Sequence, residues 1–579
     1  MPGQSSGNST AYRLAFIRLA FFVFLAVIIW RLFELQVVSY SFYSALASGQ
    51  HDILSKLIPE RGEIYVNDAL STGSIFPVAV NKPMNFVFAV PQEITDPAAT
   101  AEKIAPLLGR DLEELKNVLD KPGDPYEPLI HAVSDDLAKQ IGDLGLAGIH
   151  LVPEEVRFYP DNSILSQVLG FVGFVGDHKQ GQYGIEQQWE KQLAGTPGEL
   201  KSERDAAGAL IAIGDRQLVP AQDGDDLVLT IDKNIQYKAC NALTDTVKKF
   251  GARQGSLVIM DPKTGAIRAL CGAPSFDPNN YGKTTNPALF ENEVVSGSYE
   301  SGSVFKAFTM AAALDQGKVN PDTSYNDTGE VKVSGNVIKN SDLKSHGVQT
   351  MTNVLEKSLN TGAIFAMRQV GRQIFTDYVK KFGFGQLTGI ELPHEQAGNI
   401  RSLNDPNDIY PVTAAFGQGI TVTPIQLVAA YGAIANQGRL MRPYIVQEIR
   451  HPDGKNEIMQ PHSVRQVISA QTAATLGAML VNVVENGYGK RAGVSGYYVA
   501  GKTGTAQVPS PNGGYDPTKT IGTFAGFAPV DNPRFVMIVR IDEPQGLNFA
   551  ESSAAPLFGD IAKFLLEYYQ VPPERKVSN

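Results

Sequence analysis

The chain has 579 residues, 43% of them hydrophobic and 19% charged, which is the size and balance of a globular protein with two or three domains. A net charge of -10 without a long basic run argues against a nucleic-acid partner. Two cysteines, Cys240 and Cys271, exclude a disulfide framework. Their positions do not decide whether they pair, and Cys271 can serve in a core strand as a small hydrophobic residue. Eight scattered histidines give no support for a metal site, and we expect no cofactor.

An apolar segment near the N-terminus predicts a membrane anchor. Residues 1–12 are polar and read as a short cytoplasmic tail. Residues 19–30 are all apolar, and the segment stays mostly apolar to Val38, which is long enough to cross a bilayer. Arg13 and Arg18 precede the apolar core and favour an N-terminus on the inside.

A cleaved signal peptide is the alternative to an anchor. Ala45-Leu46-Ala47 resembles a cleavage site of small residues, but it lies well beyond the apolar run and past Arg31. We therefore predict an uncleaved transmembrane helix over residues 13–38. Everything after about residue 40 is then expected outside the cytoplasm.

The region 39–219 shows mixed helix and strand signals. Asp96 before Pro97 predicts the start of a helix, and Asp111 followed by Glu114 predicts the start of another. The region holds no cluster of catalytic residue types. We interpret it as a mixed α/β pedestal that carries the rest of the chain.

A turn-rich acidic segment, residues 220–226, marks the start of a larger domain over 220–570. Residues 227–231 read as a strand, and two hairpins are predicted at 255–271 and 522–541. Early and late strands around a helical middle predict an α+β fold, with an antiparallel sheet flanked by helices. Residues 571–579 read as a loose tail.

The most informative motif of this domain is Ser303 with Lys306 three residues later. Residues 302–314 are apolar on every side of a predicted helix, and Lys306 is their only charged residue. Positions three apart share a helix face, so the amine lies beside the hydroxyl. Burial disfavours the charged form of lysine and makes it a usable base, which activates the serine as a nucleophile. The alternative is a lysine that extends to the surface from a core helix.

Two further motifs decide between these interpretations. Ser358-Leu359-Asn360 follows about fifty residues later, and Lys502-Thr503-Gly504-Thr505 lies well downstream. Each is weak alone, since Lys-Thr-Gly is more often a turn and Ser358 could be an ordinary residue at a helix end. Together and in this order they form the signature of serine penicillin-recognising enzymes.

With these motifs the chain resembles the class B penicillin-binding proteins, which are membrane-anchored peptidoglycan D,D-transpeptidases. Residues 299–306, 157–160 with 168–173, and 417–424 are similar to stretches of that family. Residues 527–529 with 541–544 are more similar to its septal, cell-division branch than to its elongation branch. The resemblance implies a β-lactamase-like transpeptidase domain on a pedestal of the dimerisation type.

Two positions depart from the family pattern. Val66 and Asn67 stand where the family usually has an Asp-Arg pair, which puts a local contact of the pedestal in doubt. Ser301 stands where a proline usually precedes the nucleophile by two residues.

The resemblance implies a role for each motif residue. Ser303 is the nucleophile and Lys306 accepts its proton. Ser358 relays a proton toward the leaving amine, and Asn360 holds Lys306 and the substrate amide.

The third motif is implied to bind the substrate along an edge strand. Lys502 with the hydroxyls of Thr503 and Thr505 holds the terminal carboxylate, and Gly504 leaves room for the peptide to approach. The backbone N–H groups of Ser303 and Thr505 form the oxyanion hole.

The resemblance also implies partners and a location. The substrates are peptidoglycan stem peptides ending in D-Ala-D-Ala, and β-lactams are covalent inhibitors. A polytopic glycosyltransferase and divisome proteins are the expected protein partners. The protein is expected to be a single-pass protein of the cytoplasmic (inner) membrane, with its catalytic domain in the periplasmic or extracytoplasmic space.

Three alternatives stay open at this point. One is an elongation-type transpeptidase of the same class. Another is a β-lactamase, for which Glu395 in the Glu395-x-x-x-Asn399 stretch would activate water, although that stretch resembles a loop of the transpeptidase family. The last is a β-lactam sensor or division scaffold without activity. A sensor is disfavoured because only about a dozen residues precede the predicted anchor.

Overall fold

The computed structural model describes residues 21–22, 24–25, 28, 30, 59–68, 73–176, 178–202, 216–510, 513–547 and 549–575. The predicted tail at 1–12 and most of the predicted anchor at 13–38 lie outside these residues. Across the described positions we find no helix with the length and apolar character needed to span a bilayer. The anchor therefore stays a prediction.

The chain divides into two compact units, and the larger one contains residues 61–194 and 224–579. Its N-terminal part is mixed α/β, as the sequence predicts for the pedestal. The strands there are β1 Ile64–Asn67, β2 Ile75–Ala89, β3 Glu127–Val133, β4 Ile149–Phe158, β5 Phe171–Val175 and β6 His178–Gln182. The α-helices are α1 Pro97–Leu108, α2 Leu112–Leu119, α3 Asp135–Asp143, α4 Ser166–Leu169, α5 Gly184–Gln188 and α6 Glu190–Leu193, with 3-10 turns at Pro91–Glu93 and Asn162–Ile164.

Both predicted helix starts in the pedestal are confirmed. The Asp96 carboxylate accepts a hydrogen bond from the Ala99 N–H at 3.0 Å, and Pro97 is the first residue of α1. The Asp111 carboxylate accepts from the Glu114 N–H at 2.9 Å at the start of α2. Each carboxylate satisfies one of the N–H groups that a helix start leaves unpaired.

The smaller unit comprises residues 1–60 and 195–223. Within its described residues, β7 Glu199–Ser202 pairs antiparallel with β8 Arg216–Val219. A bridge between Thr196 and Gln222 extends this pairing.

The remaining elements of the larger unit follow residue 224. The strands are β9 Asp226–Asp232, β10 Gln254–Met260, β11 Ile267–Ala273, β12 Ser324–Asp327, β13 Glu330–Val333, β14 Asn336–Lys339, β15 Gly347–Thr350, β16 Arg439–Met441, β17 Val446–Arg450, β18 Asn456–Ile458, β19 Ser463–Gln466, β20 Ala500–Pro509, β21 Tyr515–Ala528 and β22 Phe535–Asp542. The α-helices are α7 Lys233–Lys249, α8 Glu293–Ser296, α9 Lys306–Asp315, α10 Met351–Glu356, α11 Asn360–Val370, α12 Arg372–Lys381, α13 Ile409–Ala414, α14 Pro424–Ala435, α15 Ala470–Glu485 and α16 Ala554–Tyr568. The 3-10 turns are Pro278–Lys283, Pro287–Phe290, Gly302–Phe305, Arg401–Asn404, Lys490–Ala492 and Ala550–Ser552.

The predicted antiparallel sheet is present. Five strands pair in the order β11-β10-β22-β21-β20, every pair is antiparallel, and both predicted hairpins occur as neighbouring strands. Side chains alternate between the two faces of the sheet. Leu257 and Ile259 pack into one core with α7 and α16, whereas Val258 and Met260 pack into another with α9 and α14. Strand β20, which carries the Lys-Thr-Gly-Thr motif, lies at the sheet edge.

A second sheet joins the pedestal to the C-terminal part. Strand β1 pairs parallel with β9, and β9 pairs antiparallel with β17. Asn67, one of the departures from the family pattern, donates through Nδ2 to the Leu229 carbonyl and to Gln447 Oε1. This asparagine therefore supplies a contact of its own between the pedestal and the strands after it.

The prediction of a loose C-terminal tail is wrong for residues 571–575. The Tyr497 hydroxyl donates to the Val571 carbonyl at 2.7 Å, and the Arg575 guanidinium forms a bidentate ion pair with Glu485 at 2.8 and 2.9 Å. The sequence near the end has the composition of a tail, but these long-range partners hold it. Residues 576–579 lie outside the described residues.

The two cysteines form a disulfide. Cys240 in α7 is bonded to Cys271 in β11, and both are buried. The sequence left open whether these two cysteines pair, and the structure shows that they do. A cross-link over a separation of 31 residues stabilises the fold by roughly 3.7 kcal/mol in the chain-entropy account.

Candidate active site

Ser303 lies in a tight turn, not in the body of a helix. Residues Gly302–Phe305 form a 3-10 turn, which we call the nucleophile turn, and α9 begins at Lys306. Gly302 has a φ of +58°, and a Cβ there would lie 2.9 Å from the carbonyl oxygen of Thr505. Only glycine combines this backbone conformation with so close an approach. The turn is thereby held against the edge strand β20.

A glycine is needed at position 504 for a reason other than the predicted one. A Cβ at this position would lie 2.7 Å from the Ser301 carbonyl oxygen and 3.1 Å from the Val304 backbone nitrogen. The glycine thus allows β20 to pack against the residues around Ser303. The space expected for an incoming peptide is occupied by the protein's own backbone.

Two buried lysines converge on the hydroxyl of Ser358. Lys306 Nζ donates to the Ser358 carbonyl at 2.6 Å and to Ser358 Oγ at 3.3 Å. Lys502 Nζ donates to the same Oγ at 3.0 Å and to the Thr503 carbonyl at 3.0 Å. The structure therefore brings together Lys306, Ser358 and Lys502, which are far apart in the sequence.

The backbone at Ser358 takes up an uncommon conformation. Its φ is +55°, in the left-handed region that residues other than glycine seldom occupy. Such a residue costs on the order of 1–3 kcal/mol and is typical of functional sites. Here the carbonyl and the hydroxyl of one residue both meet the lysine amines, which gives a structural reason for the strain.

Burial changes the acid–base behaviour of both amines. Lys306 is 1% exposed and Lys502 is fully buried. Burial, together with the nearby charge of Lys502, lowers the pKa of Lys306 well below its ordinary value. Burial also lowers the pKa of Lys502, to about 7. The shift at Lys306 favours the uncharged amine, which is the form that can accept a proton.

Asn360 is held by a partner that the sequence does not reveal. It is the first residue of α11, and its Nδ2 donates to the Lys339 carbonyl at 2.8 Å. Within the described ranges no hydrogen bond joins Asn360 to Lys306, whose amine binds Ser358 instead. The implied contact of Asn360 with Lys306 is therefore absent. Ser303 Oγ likewise makes no hydrogen bond to Lys306 among these residues.

The Lys-Thr-Gly-Thr segment has one free edge. Lys502, Thr503, Gly504 and Thr505 pair with β21 on one side, and no strand of the five-stranded sheet pairs with β20 on the other. Thr505 Oγ1 accepts a hydrogen bond from the Ala550 N–H at 3.1 Å. Because a hydroxyl has one hydrogen to donate, this arrangement leaves the Thr505 hydrogen available to a ligand.

A cleft of about 720 Å³ opens over these residues. Ser303, Ser358, Asn360, Thr503 and Thr505 all line it, and Lys306 and Lys502 contact Ser358 from below its surface. The cleft is also lined by residues that sequence reasoning missed, among them Asn340, Asp342, Tyr488, Phe549 and Glu551. They come from loops without a motif, so the sequence carries no signal that could have found them.

Glu395 does not face this cleft. Its carboxylate accepts hydrogen bonds from the Thr388 N–H at 2.7 Å and the Gly389 N–H at 3.1 Å, and it is not among the residues that line the cleft. The residue that a β-lactamase would need to activate water is thus engaged in holding its own loop.

Two known protein families match separate parts of the chain. The family described as Penicillin binding protein transpeptidase domain matches residues 255–563. The family described as Penicillin-binding Protein dimerisation domain matches residues 56–229.

Individual relatives agree with these matches. Stage V sporulation protein D of Bacillus subtilis is 35% identical over 570 residues, covering 97% of this chain and 86% of that protein. Peptidoglycan D,D-transpeptidase FtsI of Escherichia coli strain K12 is 29% identical over 584 residues, covering 99% and 94%. The crystal structure of penicillin binding protein 3 from Mycobacterium tuberculosis complexed with aztreonam superposes with a TM-score of 0.69 at 28% identity, covering 90% of this chain and 98% of that one.

Proposed function

The chain belongs to the class B penicillin-binding proteins, and we propose that it is a peptidoglycan D,D-transpeptidase that acts through an acyl-enzyme on Ser303. The observation that carries the mechanism is the pair of buried amines, Lys306 and Lys502, on either side of the Ser358 hydroxyl. Both amines lie beneath a cleft that Ser303 lines.

In the first half-reaction Ser303 Oγ attacks the carbonyl carbon between the two D-alanines. The neutral Lys306 amine uses its two N–H groups on Ser358, which leaves its lone pair to take the hydroxyl proton. The N–H groups of Ser303 and Thr505 stabilise the oxyanion, and the close approach of Gly302 to Thr505 supports this pairing.

Collapse of the tetrahedral intermediate breaks the C–N bond. The proton passes from Lys306 through the Ser358 hydroxyl to the leaving nitrogen, and D-alanine departs. In the second half-reaction an amine of a neighbouring stem peptide attacks the ester carbonyl. Its proton returns through the same groups to Ser303, and the cross-link is complete.

The edge strand β20 recognises the substrate. The stem peptide adds to the free edge of β20, and its terminal carboxylate meets Lys502, Thr503 and Thr505. A bound carboxylate favours the charged form of Lys502 and raises its pKa above the free-state value of about 7. Binding of a ligand with a terminal carboxylate thus keeps Lys502 protonated.

We also propose an extracytoplasmic location on an N-terminal membrane anchor at residues 13–38. The Cys240–Cys271 disulfide supports this location, because disulfides persist mainly outside the reducing cytoplasm. The resemblance of residues 527–529 and 541–544 to the septal branch supports a role in cell division, with a membrane glycosyltransferase and divisome proteins as partners.

Release of D-alanine from a synthetic pentapeptide in the presence of an acceptor amine tests the function. Ser303→Ala is expected to abolish release while keeping the circular dichroism spectrum. Ser301→Ala is the matched control, because Ser301 lies two residues away, is buried and makes no side-chain hydrogen bond among the described residues. Undiminished release by Ser303→Ala would refute the assignment, and rapid hydrolysis of penicillin by the wild type would favour a β-lactamase.

A further inference from the structure

A buried carboxylate that belongs to none of the three motifs lies beneath one wall of the cleft. Asp327, the last residue of β12, is 2% exposed. It accepts hydrogen bonds from the Gly329 N–H at 2.9 Å and the His346 N–H at 3.0 Å. Asn340 Nδ2 and Thr361 Oγ1 also donate to it, at 2.9 and 2.8 Å. No lysine, arginine or histidine side chain forms an ion pair with it in the described part of the chain.

A buried anion without a cation is costly to the fold, and its hydrogen bonds offset that cost only in part. Four donor groups, each of which a neutral acceptor could also satisfy, converge on this one carboxylate. This carboxylate therefore holds together the chain segments that carry these donors, and one of these segments begins at Asn360.

Asp327 connects to Asn360 from two directions. Thr361, which donates to Asp327, directly follows Asn360 at the start of α11. Asn340, which also donates to Asp327, is 1% exposed and accepts the Thr361 N–H at 3.2 Å. Lys339 directly precedes Asn340, and its carbonyl accepts from Asn360 Nδ2 at 2.8 Å.

These contacts determine which way the Asn360 carboxamide points. A carbonyl can accept only from the NH₂ end of the amide, so Lys339 directs Nδ2 toward itself. The Asn360 oxygen and the second N–H are then left for a ligand in the cleft, which Asn360 lines. The orientation lasts only while the Lys339–Asn340 segment stays against α11, and Asp327 holds these two elements together.

We propose that Asp327 is a positioning residue for the transpeptidase reaction: it fixes the Asn360 carboxamide in the orientation that binds the amide of the stem peptide or of penicillin. The inference rests on the proposed function. Asp327 acts through Asn340, Thr361 and Lys339, and does not touch the substrate.

The test uses the acylation of the full-length protein by a fluorescent penicillin, with the acylation rate constant k2 and the dissociation constant of the first complex measured separately. Asp327→Asn replaces two acceptor oxygens by one and turns an NH₂ group toward the donors around it. We expect k2 to fall by roughly tenfold or more, since a misplaced catalytic-site group commonly costs this much, with a smaller change in binding. Thr361→Val keeps the side-chain shape, removes one bond to Asp327, and supplies a milder variant if Asp327→Asn folds poorly.

A double-mutant cycle separates positioning from general destabilisation. In an Asn360→Ala background, Asp327→Asn is expected to have no further effect on k2, because its target is gone. Asp232→Asn is the control. Asp232 is also a buried aspartate, it caps α7 by accepting from the Ile235 N–H at 2.9 Å, and it does not line the cleft. Its k2 per folded molecule should match the wild type.

The possible failures are distinguishable. If the wild type is not acylated, the proposed function itself fails. If the wild type is acylated and both Asp327→Asn and Thr361→Val keep its k2, the positioning role is overturned. A full additional loss from Asp327→Asn in the Asn360→Ala background would overturn it as well.

Discussion

At the residue scale, the chemistry depends on two amines that are kept from water. Lys306 and Lys502 donate to the same Ser358 hydroxyl, yet the proposed reaction requires opposite charge states of the two amines. Lys306 has to be neutral to accept a proton from Ser303, whereas Lys502 has to be charged to hold a carboxylate. Burial and the nearby charge of Lys502 lower the pKa of Lys306 well below its ordinary value, which favours its neutral form. Burial lowers the pKa of Lys502 to about 7, so this amine carries its charge below neutral pH.

The pKa of Lys502 predicts how acylation depends on pH. The apparent second-order rate constant with penicillin, k2 divided by the dissociation constant, should fall as the pH rises through about 7, because Lys502 loses its proton in the free protein. The rate constant k2 at saturating penicillin should fall only at higher pH, since the bound carboxylate keeps Lys502 charged.

Lys502→Arg checks the assignment of this falling limb. A guanidinium stays charged throughout, so the limb should disappear even if the larger side chain lowers the rate. Lys357→Arg, next to Ser358 but outside the motifs, should keep it. The interpretation fails if the wild-type profile is flat from about pH 6 to pH 9, or if Lys502→Arg retains the limb.

At the element scale, the site depends on the packing of a 3-10 turn against an edge strand. The nucleophile turn at Gly302–Phe305 and strand β20 approach so closely that glycine is required on both sides, at Gly302 and Gly504. A third glycine, Gly417, also meets the turn, and a Cβ there would lie 2.2 Å from the Gly302 carbonyl oxygen. Ser303 is therefore positioned by backbone contacts from two separate elements.

Gly504→Ala tests this packing. Its Cβ would press on the Ser301 carbonyl, so β20 or the turn has to move. We expect a loss of about 1–3 kcal/mol in the free energy of unfolding, measured by urea denaturation, together with slower acylation. Gly282→Ala is the control, because a Cβ there would meet nothing within 4 Å. Equal stability of the Gly504→Ala variant and the wild type would contradict the packing argument.

At the scale of the whole molecule, the sequence predicts the mixed α/β pedestal and the antiparallel sheet that carries the site. Hydrophobic alternation and turn residues predict the hairpins around β10, β11, β21 and β22, because these pairings are local. The motifs also identify Lys306, Ser358 and Lys502, which the structure brings together. Ser303, by contrast, lies in a 3-10 turn before the helix that the sequence predicts for it.

What the sequence could not predict involves contacts between distant residues. The pairing of Cys240 with Cys271 depends on how α7 packs against β11. Asn360 donates to the backbone carbonyl of Lys339. Residue identities do not reveal such a partner, because every residue carries a backbone carbonyl. The sequence does not distinguish Asp327 from other aspartates, because its contacts with Asn340 and Thr361 form only in the folded protein. The pedestal, in turn, shares a sheet with the C-terminal part through β1 and β9.

The central claim is that one serine, at the junction of these elements, forms the acyl-enzyme. Mass spectrometry of proteolytic peptides after incubation with penicillin tests it most directly. We expect a stable penicilloyl group on Ser303 in the wild type, and none anywhere in Ser303→Ala. An adduct on any other residue of the wild type, or labelling that survives Ser303→Ala, would contradict the account.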